Sequence, residues 1–204
     1  MRALSLITAC ALFGATAAAN ASTYVATIEQ VGSNVVATGS GSFDLTDLTL
    51  FNTFVQPFGA VESGIAALLL GSGAITTTTL AGYSGLSGPT SFGTGGTEIT
   101  TTTTNGPTTA INGTGLGGSG AFIAVPTGYV SDTVLSTSTD TFVGATFASL
   151  LLTPGHYVWT WGIGVHQGSY TLDIGTVPLP AALPLFASGL VGLLLLGWRR
   201  KRAA

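Results

Sequence analysis

Few side chains in this chain could do chemistry, and their spacing decides which chemistry is open to them. His156 and His166 stand ten residues apart without a nearby carboxylate in a ligand pattern, whereas a zinc site gathers three or four ligands. They are expected to be an exposed strand residue and an exposed loop residue, holding no metal. Asp44 and Asp47 in FDLTDL could pair as two carboxylates, but D-x-x-D lacks the oxygen-rich spacing of a calcium loop. Strand periodicity would also turn the two to opposite faces, so solvated turn residues are expected. Serines are plentiful, yet no G-x-S-x-G elbow occurs, and the body holds no lysine that could activate a serine. The stretch GTGLGGSGAF, from Gly113 to Phe122, has neither the following lysine nor the βαβ frame of a phosphate cradle. No catalytic residue and no cofactor are expected. Tyr157, Trp159 and Trp161 alternate along TPGHYVWTWG and so share one strand face. Three rings on one face make either a core or a carbohydrate-stacking platform. The core is the expected role, and solvent exposure of the rings separates the two.

Strands are the elements that must carry these residues. In TYVATIEQVGSNVVATGSGSFDL, Tyr24, Ala26, Ile28 and Gln30 lie on one face, Gly32-Ser33-Asn34 can turn, and Asn34 to Thr38 can return. GIAALLLGSG, Gly64 to Gly73, is an apolar run bounded by glycines, read as a buried strand rather than a short helix. The threonine blocks Thr76–Thr79 and Thr100–Thr104 are β-branched and suit exposed strands, with a solvated, O-glycosylated loop as the alternative. Thr153-Pro154-Gly155 supplies a turn before the aromatic strand, and Tyr170, Leu172 and Ile174 form the matching face of the next one. The expectation is an all-β, sandwich-like body of antiparallel strands over residues 22–176. Its weak part should be residues 84–120, where little apolar surface offsets the entropy of ordering.

Charge narrows the function classes. All eight acids lie between Ser22 and Trp198, and that stretch holds no Lys or Arg, a formal charge of −8. Binding to a phosphate backbone requires basic side chains that displace counterions, so nucleic-acid partners are excluded.

The chain opens MRALSLITACALFGATAAANAS, with a positive charge at Arg2, an apolar stretch and small residues at its end. These are the three parts of a secretory signal peptide, residues 1–21. Ala19 and Ala21 flank Asn20 in an A-x-A site, with cleavage expected after Ala21; Ala17-Ala18-Ala19 is a second site, and either leaves a mature protein that begins near Ser22. An uncleaved anchor is a poorer reading, because the run is short and lacks a basic flank after it. The only cysteine, Cys10, lies inside this segment, so the mature protein has no thiol or disulfide. Ile7-Thr8-Ala9-Cys10 has the look of a lipobox, but the apolar run continues past the cysteine.

At the other end stands VPLPAALPLFASGLVGLLLLGWRRKRAA. Ala181 to Trp198 is eighteen uncharged residues, roughly 27 Å as a helix against a hydrocarbon thickness of about 30 Å. A transmembrane helix is expected over about 182–198. Arg199, Arg200, Lys201 and Arg202 follow at once and act as a stop-transfer cluster that stays cytoplasmic. Pro178 and Pro180 keep the chain extended just outside the span, a shape that a protease can engage.

On the motif Val177, Pro178, Leu179, Pro180, Ala181, followed by an apolar helix and an Arg-rich end, the chain resembles bacterial proteins bearing the PEP-CTERM type of sorting signal, in its VPLPA variant. Leu179 replaces the glutamate of the better-known form. The resemblance covers residues 177–204, and FASLLLTPGHYVWTWG and SGPTSFGTGG add a weaker likeness in the body. It implies an exosortase, a multi-spanning membrane peptidase of Gram-negative bacteria, as partner, with cleavage near the motif. It further implies transient residence in the inner membrane with the body in the periplasm, then transfer to the cell surface or the exopolysaccharide matrix of a biofilm. Two function classes follow: a non-catalytic surface or matrix protein sorted in this way, or a polysaccharide-binding or adhesive module held by an ordinary C-terminal anchor.

Overall fold

The alternation that opens the body becomes its first hairpin. The structure, a computed structural model, describes residues 22–56, 58–71 and 79–175. β1 (Ser22–Val31) and β2 (Asn34–Gly41) pair antiparallel across Gly32-Ser33. Gly32 has φ +61°, a conformation that short hairpin turns demand and glycine adopts without steric cost. Tyr24, Ala26 and Ile28 are fully buried, while the residues between them face outward.

Among the described residues the chain forms thirteen strands. After β2 come β3 (Thr49–Val55), β4 (Ala60–Glu62), β5 (Ala67–Leu70), β6 (Thr79–Ser84), β7 (Ile99–Thr100), β8 (Thr103–Asn105), β9 (Thr109–Asn112), β10 (Phe122–Pro126), β11 (Leu135–Phe142), β12 (Gly155–Trp161) and β13 (Gly168–Ile174). They make a six-stranded sheet, ordered β12-β13-β1-β2-β11-β8, and a seven-stranded sheet, ordered β3-β6-β10-β9-β5-β4-β7. The protein is all-β.

The pairing departs from the expected antiparallel pattern at one place. β1 and β13 run parallel, with Tyr24 opposite Tyr170, Ala26 opposite Leu172 and Ile28 opposite Ile174. A parallel pair needs a long connection between its strands, and here nearly the whole body intervenes. The two strands also bury side chains on the same phase, so this register stacks inward residue on inward residue.

Between the sheets lies one core, to which the six-stranded sheet contributes Tyr24, Ile28, Trp159, Tyr170 and Leu172, and the seven-stranded sheet Val61, Leu68, Leu70, Ile111 and Ile123. Tyr24 stacks between Phe43, at a centroid distance of 4.6 Å, and Tyr170, at 5.2 Å. The apolar run from Gly64 resolves into a 3-10 turn at Ser63–Ile65 followed by strand β5. Leu68 and Leu70 face the core, while Leu69 packs on the other side of the sheet. The block Thr100–Thr104 carries the chain between sheets, ending β7 in one and starting β8 in the other. Of the block Thr76–Thr79, Thr79 begins β6 and the rest lies outside the described residues. Residues 84–120 are better anchored than their composition suggests, because Leu86, Phe92, Ala110 and Ile111 are all buried. Among the described residues no helix is long and apolar enough to cross a membrane; the expected span at 182–198 lies outside them.

Candidate functional site

The sorting motif Val177–Ala181, the cluster Arg199–Arg202 and the cleavage-site residues Ala19 and Ala21 lie outside the described residues. Ser22 lies within them, at the start of β1 and nearly buried. Its hydroxyl donates to the Asp132 carboxylate and sits 3.2 Å from Ser42 Oγ.

The aromatic row of β12 points inward. Trp159 is 0% and Trp161 4% exposed, so these rings are core and offer no stacking platform. Each indole N–H is satisfied: Trp159 Nε1 donates to the Pro89 carbonyl at 2.9 Å and Trp161 Nε1 to the Asp44 carbonyl at 2.7 Å. Trp161 lies over its cross-strand partner Gly168, where a β-carbon would overlap the indole. Tyr157 is half-buried, edge-on to Phe92 at 5.9 Å, and its hydroxyl donates to the Thr153 carbonyl.

His156 is exposed on β12, and its Nδ1 stands 2.6 Å from Oδ1 of Asp173, its cross-strand partner. His166 is half-exposed in a 3-10 turn at Gly164–His166, with Nδ1 2.8 Å from Asp44 Oδ2. Asp44 overturns the expectation of a solvated residue, since only 3% of it is exposed. Its Oδ1 accepts from Thr46 N at 2.9 Å and from Ser131 Oγ at 3.1 Å. FDLTDL is a turn whose acid caps its own backbone while two distant loops close over it. Burial pushes the Asp44 carboxyl up, but the bonds from Thr46, His166 and Ser131 outweigh it and hold it at about 2. The Asp44 bond in turn raises the His166 imidazole above its ordinary value, aided by Asp47 and Asp132. Asp47 stays exposed and accepts from Ile163 N at 3.2 Å. Both imidazoles are thus paired with aspartates. Among the described residues no three His, Cys, Asp or Glu converge as metal ligands.

Asp140, on β11, was not singled out by the sequence reading. It is 1% exposed between the sheets; Oδ1 accepts from Gly71 N at 3.1 Å while Oδ2 has no hydrogen-bond partner. Burial pushes its carboxyl up to about 6. Alternation did carry a signal, because Ser138, Asp140 and Phe142 share the inward phase of β11.

A cleft of about 300 Å³ opens on the face of the seven-stranded sheet turned away from the core. Its existence follows from chain length. β3 and β4 are first and sixth in the sheet order, which on a flat sheet would be roughly 24 Å apart at about 4.8 Å per strand. The five steps from Val55 to Ala60 reach at most about 18 Å, so the sheet must curl. Phe54 and Gln56 from one edge then face Glu62 from the other across the cleft. Ala67 and Ala110 leave room at the floor. Phe122 stands edge-on to Phe51 at 5.2 Å and to Phe54 at 6.2 Å. The glycine-rich loop contributes Leu116, 47% exposed at the cleft. That loop is pinned at its base by Asn112, whose Oδ1 accepts from Thr114 N at 3.0 Å and Gly115 N at 2.8 Å.

No protein-family model matches this chain, and no curated protein or solved structure matches it either.

Proposed function

We propose that the chain is an exported, non-catalytic surface or matrix protein, delivered by its N-terminal leader and then cleaved at its C-terminal signal by an exosortase-type membrane peptidase. The observation that carries this reading is the order of features at the end of the chain: Val177-Pro178-Leu179-Pro180-Ala181, an uncharged apolar stretch, then Arg199-Arg200-Lys201-Arg202. The body supports it in two ways. Trp159 and Trp161 serve the core, His156 pairs with Asp173 across two strands and His166 joins its loop to Asp44, so these chemistry-bearing side chains are engaged by the fold. Cleavage after Ala21 would also put the new α-ammonium at Ser22, whose hydroxyl already bonds Asp132, adding a cation to a body that has no Lys or Arg.

The test separates recognition from insertion. Insertion depends on apolar length and on the basic cluster, whereas recognition depends on an extended segment that helix growth from Ala181 would engulf without its prolines. Changing Pro178→Ala and Pro180→Ala together should leave insertion intact and abolish processing. Deleting Arg199–Arg202 should let the tail slip through and release unprocessed protein. Pulse-labelling of both variants beside the parent reads this out. Loss of the tail at the parental rate in the double-proline variant would mean that the motif is not the recognition element.

A further inference from the structure

We propose that the cleft on the outer face of the seven-stranded sheet is a binding site for a small organic ammonium ion carrying an apolar body. The inference concerns the body alone and is independent of how the chain is sorted.

Three observations converge on that ligand class. The first is shape: at about 300 Å³ the cleft reaches the lower end of small-molecule sites, which are roughly 300–1,000 Å³. It exists because the sheet curls and because Ala67 and Ala110 stand where larger side chains would fill it. The second is lining. The cleft is apolar and aromatic through Leu69, Phe54 and Phe122, with Leu116 at its rim, which suits an alkyl or aromatic body.

The third is charge. β4 and β7 pair with Val61 opposite Ile99; Glu62 follows Val61 and Glu98 precedes Ile99, so both stand at this end of the strand pair, Glu62 half-buried and Glu98 exposed, and both line the cleft. Two like charges at one cleft repel each other, and no Lys or Arg exists anywhere from Ser22 to Trp198 to relieve them. A cleft of low dielectric focuses a field of one sign. That field repels carboxylates, phosphates and acidic sugars, is indifferent to neutral ligands, and attracts a cation. A hard metal ion is a poor match, since it requires six or more oxygen ligands or retained waters and this floor is hydrocarbon. An ammonium group needs only the two carboxylates and gains further from the faces of nearby rings.

A series of equal body and different charge tests this: 2-phenylethylamine, 2-phenylethanol and phenylacetate, titrated into the protein purified from whole cells, whatever fraction it occupies, and followed by NMR. The amine should bind at least about tenfold tighter than the alcohol, and phenylacetate should show no binding. Raising salt from about 0.02 M to about 0.5 M should erode the advantage of the amine. Glu62→Gln with Glu98→Gln, both outside the core, should reduce the amine to the affinity of the alcohol and leave the alcohol unchanged. Equal binding of amine and alcohol to the parent, no binding of any probe, or an amine preference that survives the double substitution would each overturn the proposal.

Discussion

A carboxyl group held between two sheets must be paired or neutral, and Asp140 has one oxygen without a partner. Burial raises it from the ordinary 3.8 to about 6, so between those values the folded chain keeps a proton that the unfolded chain gives up. That difference amounts to about 3 kcal/mol. Because the folded pKa is the higher one, this stabilisation is fully present below about pH 4 and is lost as pH rises through about 6. His166 acts in the same direction: its pKa is raised, first by its bond to Asp44, so its share is full below 6.5 and lost as pH climbs past its raised value. Asp44 works in the opposite sense. Held at about 2, it stabilises above its ordinary 3.8 and loses that share as pH falls toward 2. Thermal unfolding should therefore show greatest stability near pH 4, a fall between about pH 4 and pH 6 as Asp140 ionises in the folded chain, and a further decline above 6.5 as His166 loses its proton. Asp140→Asn removes the ionisation, so its stability relative to the parent should improve by up to about 3 kcal/mol between pH 4 and pH 8. An effect of Asp140→Asn that is the same at both pH values would show that the carboxyl does not titrate in this range.

The aromatic strand carries the next level of the argument, because β12 and β13 close the edge of the six-stranded sheet with their largest side chains inward. Trp159 is fully buried and hydrogen-bonded to Pro89. Trp159→Ala should cost on the order of 3–5 kcal/mol, as for other buried large aromatics. Gly168→Ala probes the same packing from across the pair. The indole of Trp161 cannot withdraw from the added methyl group without breaking its bond to the Asp44 carbonyl, so denaturant titration should find this variant clearly destabilised, although alanine suits a strand no worse than glycine. These hairpins were legible in the sequence because alternation and turn residues are local signals. The parallel pairing of β1 with β13 was not, since it joins strands about 140 residues apart and no local pattern states who pairs with whom. Asp44 was misread for a related reason. Its own stretch shows only a turn, while Ser131 and His166, which bury it, come from loops far along the chain. Asp140 stood in plain alternation with Phe142, and an acid on that phase pointed to a buried carboxylate. The cleft had no signature at all, because it depends on the curl of a seven-stranded sheet whose strand order the sequence does not state.

At the scale of the whole molecule the charges are segregated: eight acids and no Lys or Arg lie between Ser22 and Trp198, and every basic residue belongs to one of the two ends. A body of one sign resists association with anionic polymers, and the terminal cations stand where the proposed leader begins and where the proposed span ends. On this account the ends are instructions that are removed once followed, and the acidic two-sheet body is what remains. Mass spectrometry of both termini of the protein, recovered separately from envelope and secreted fractions, tests that most directly. The account predicts a mature chain that begins at Ser22 and ends near Val177–Ala181, with Arg199–Arg202 absent. A chain that still ends in Arg199-Arg200-Lys201-Arg202-Ala203-Ala204 in the envelope fraction, with no shortened form elsewhere, would contradict it.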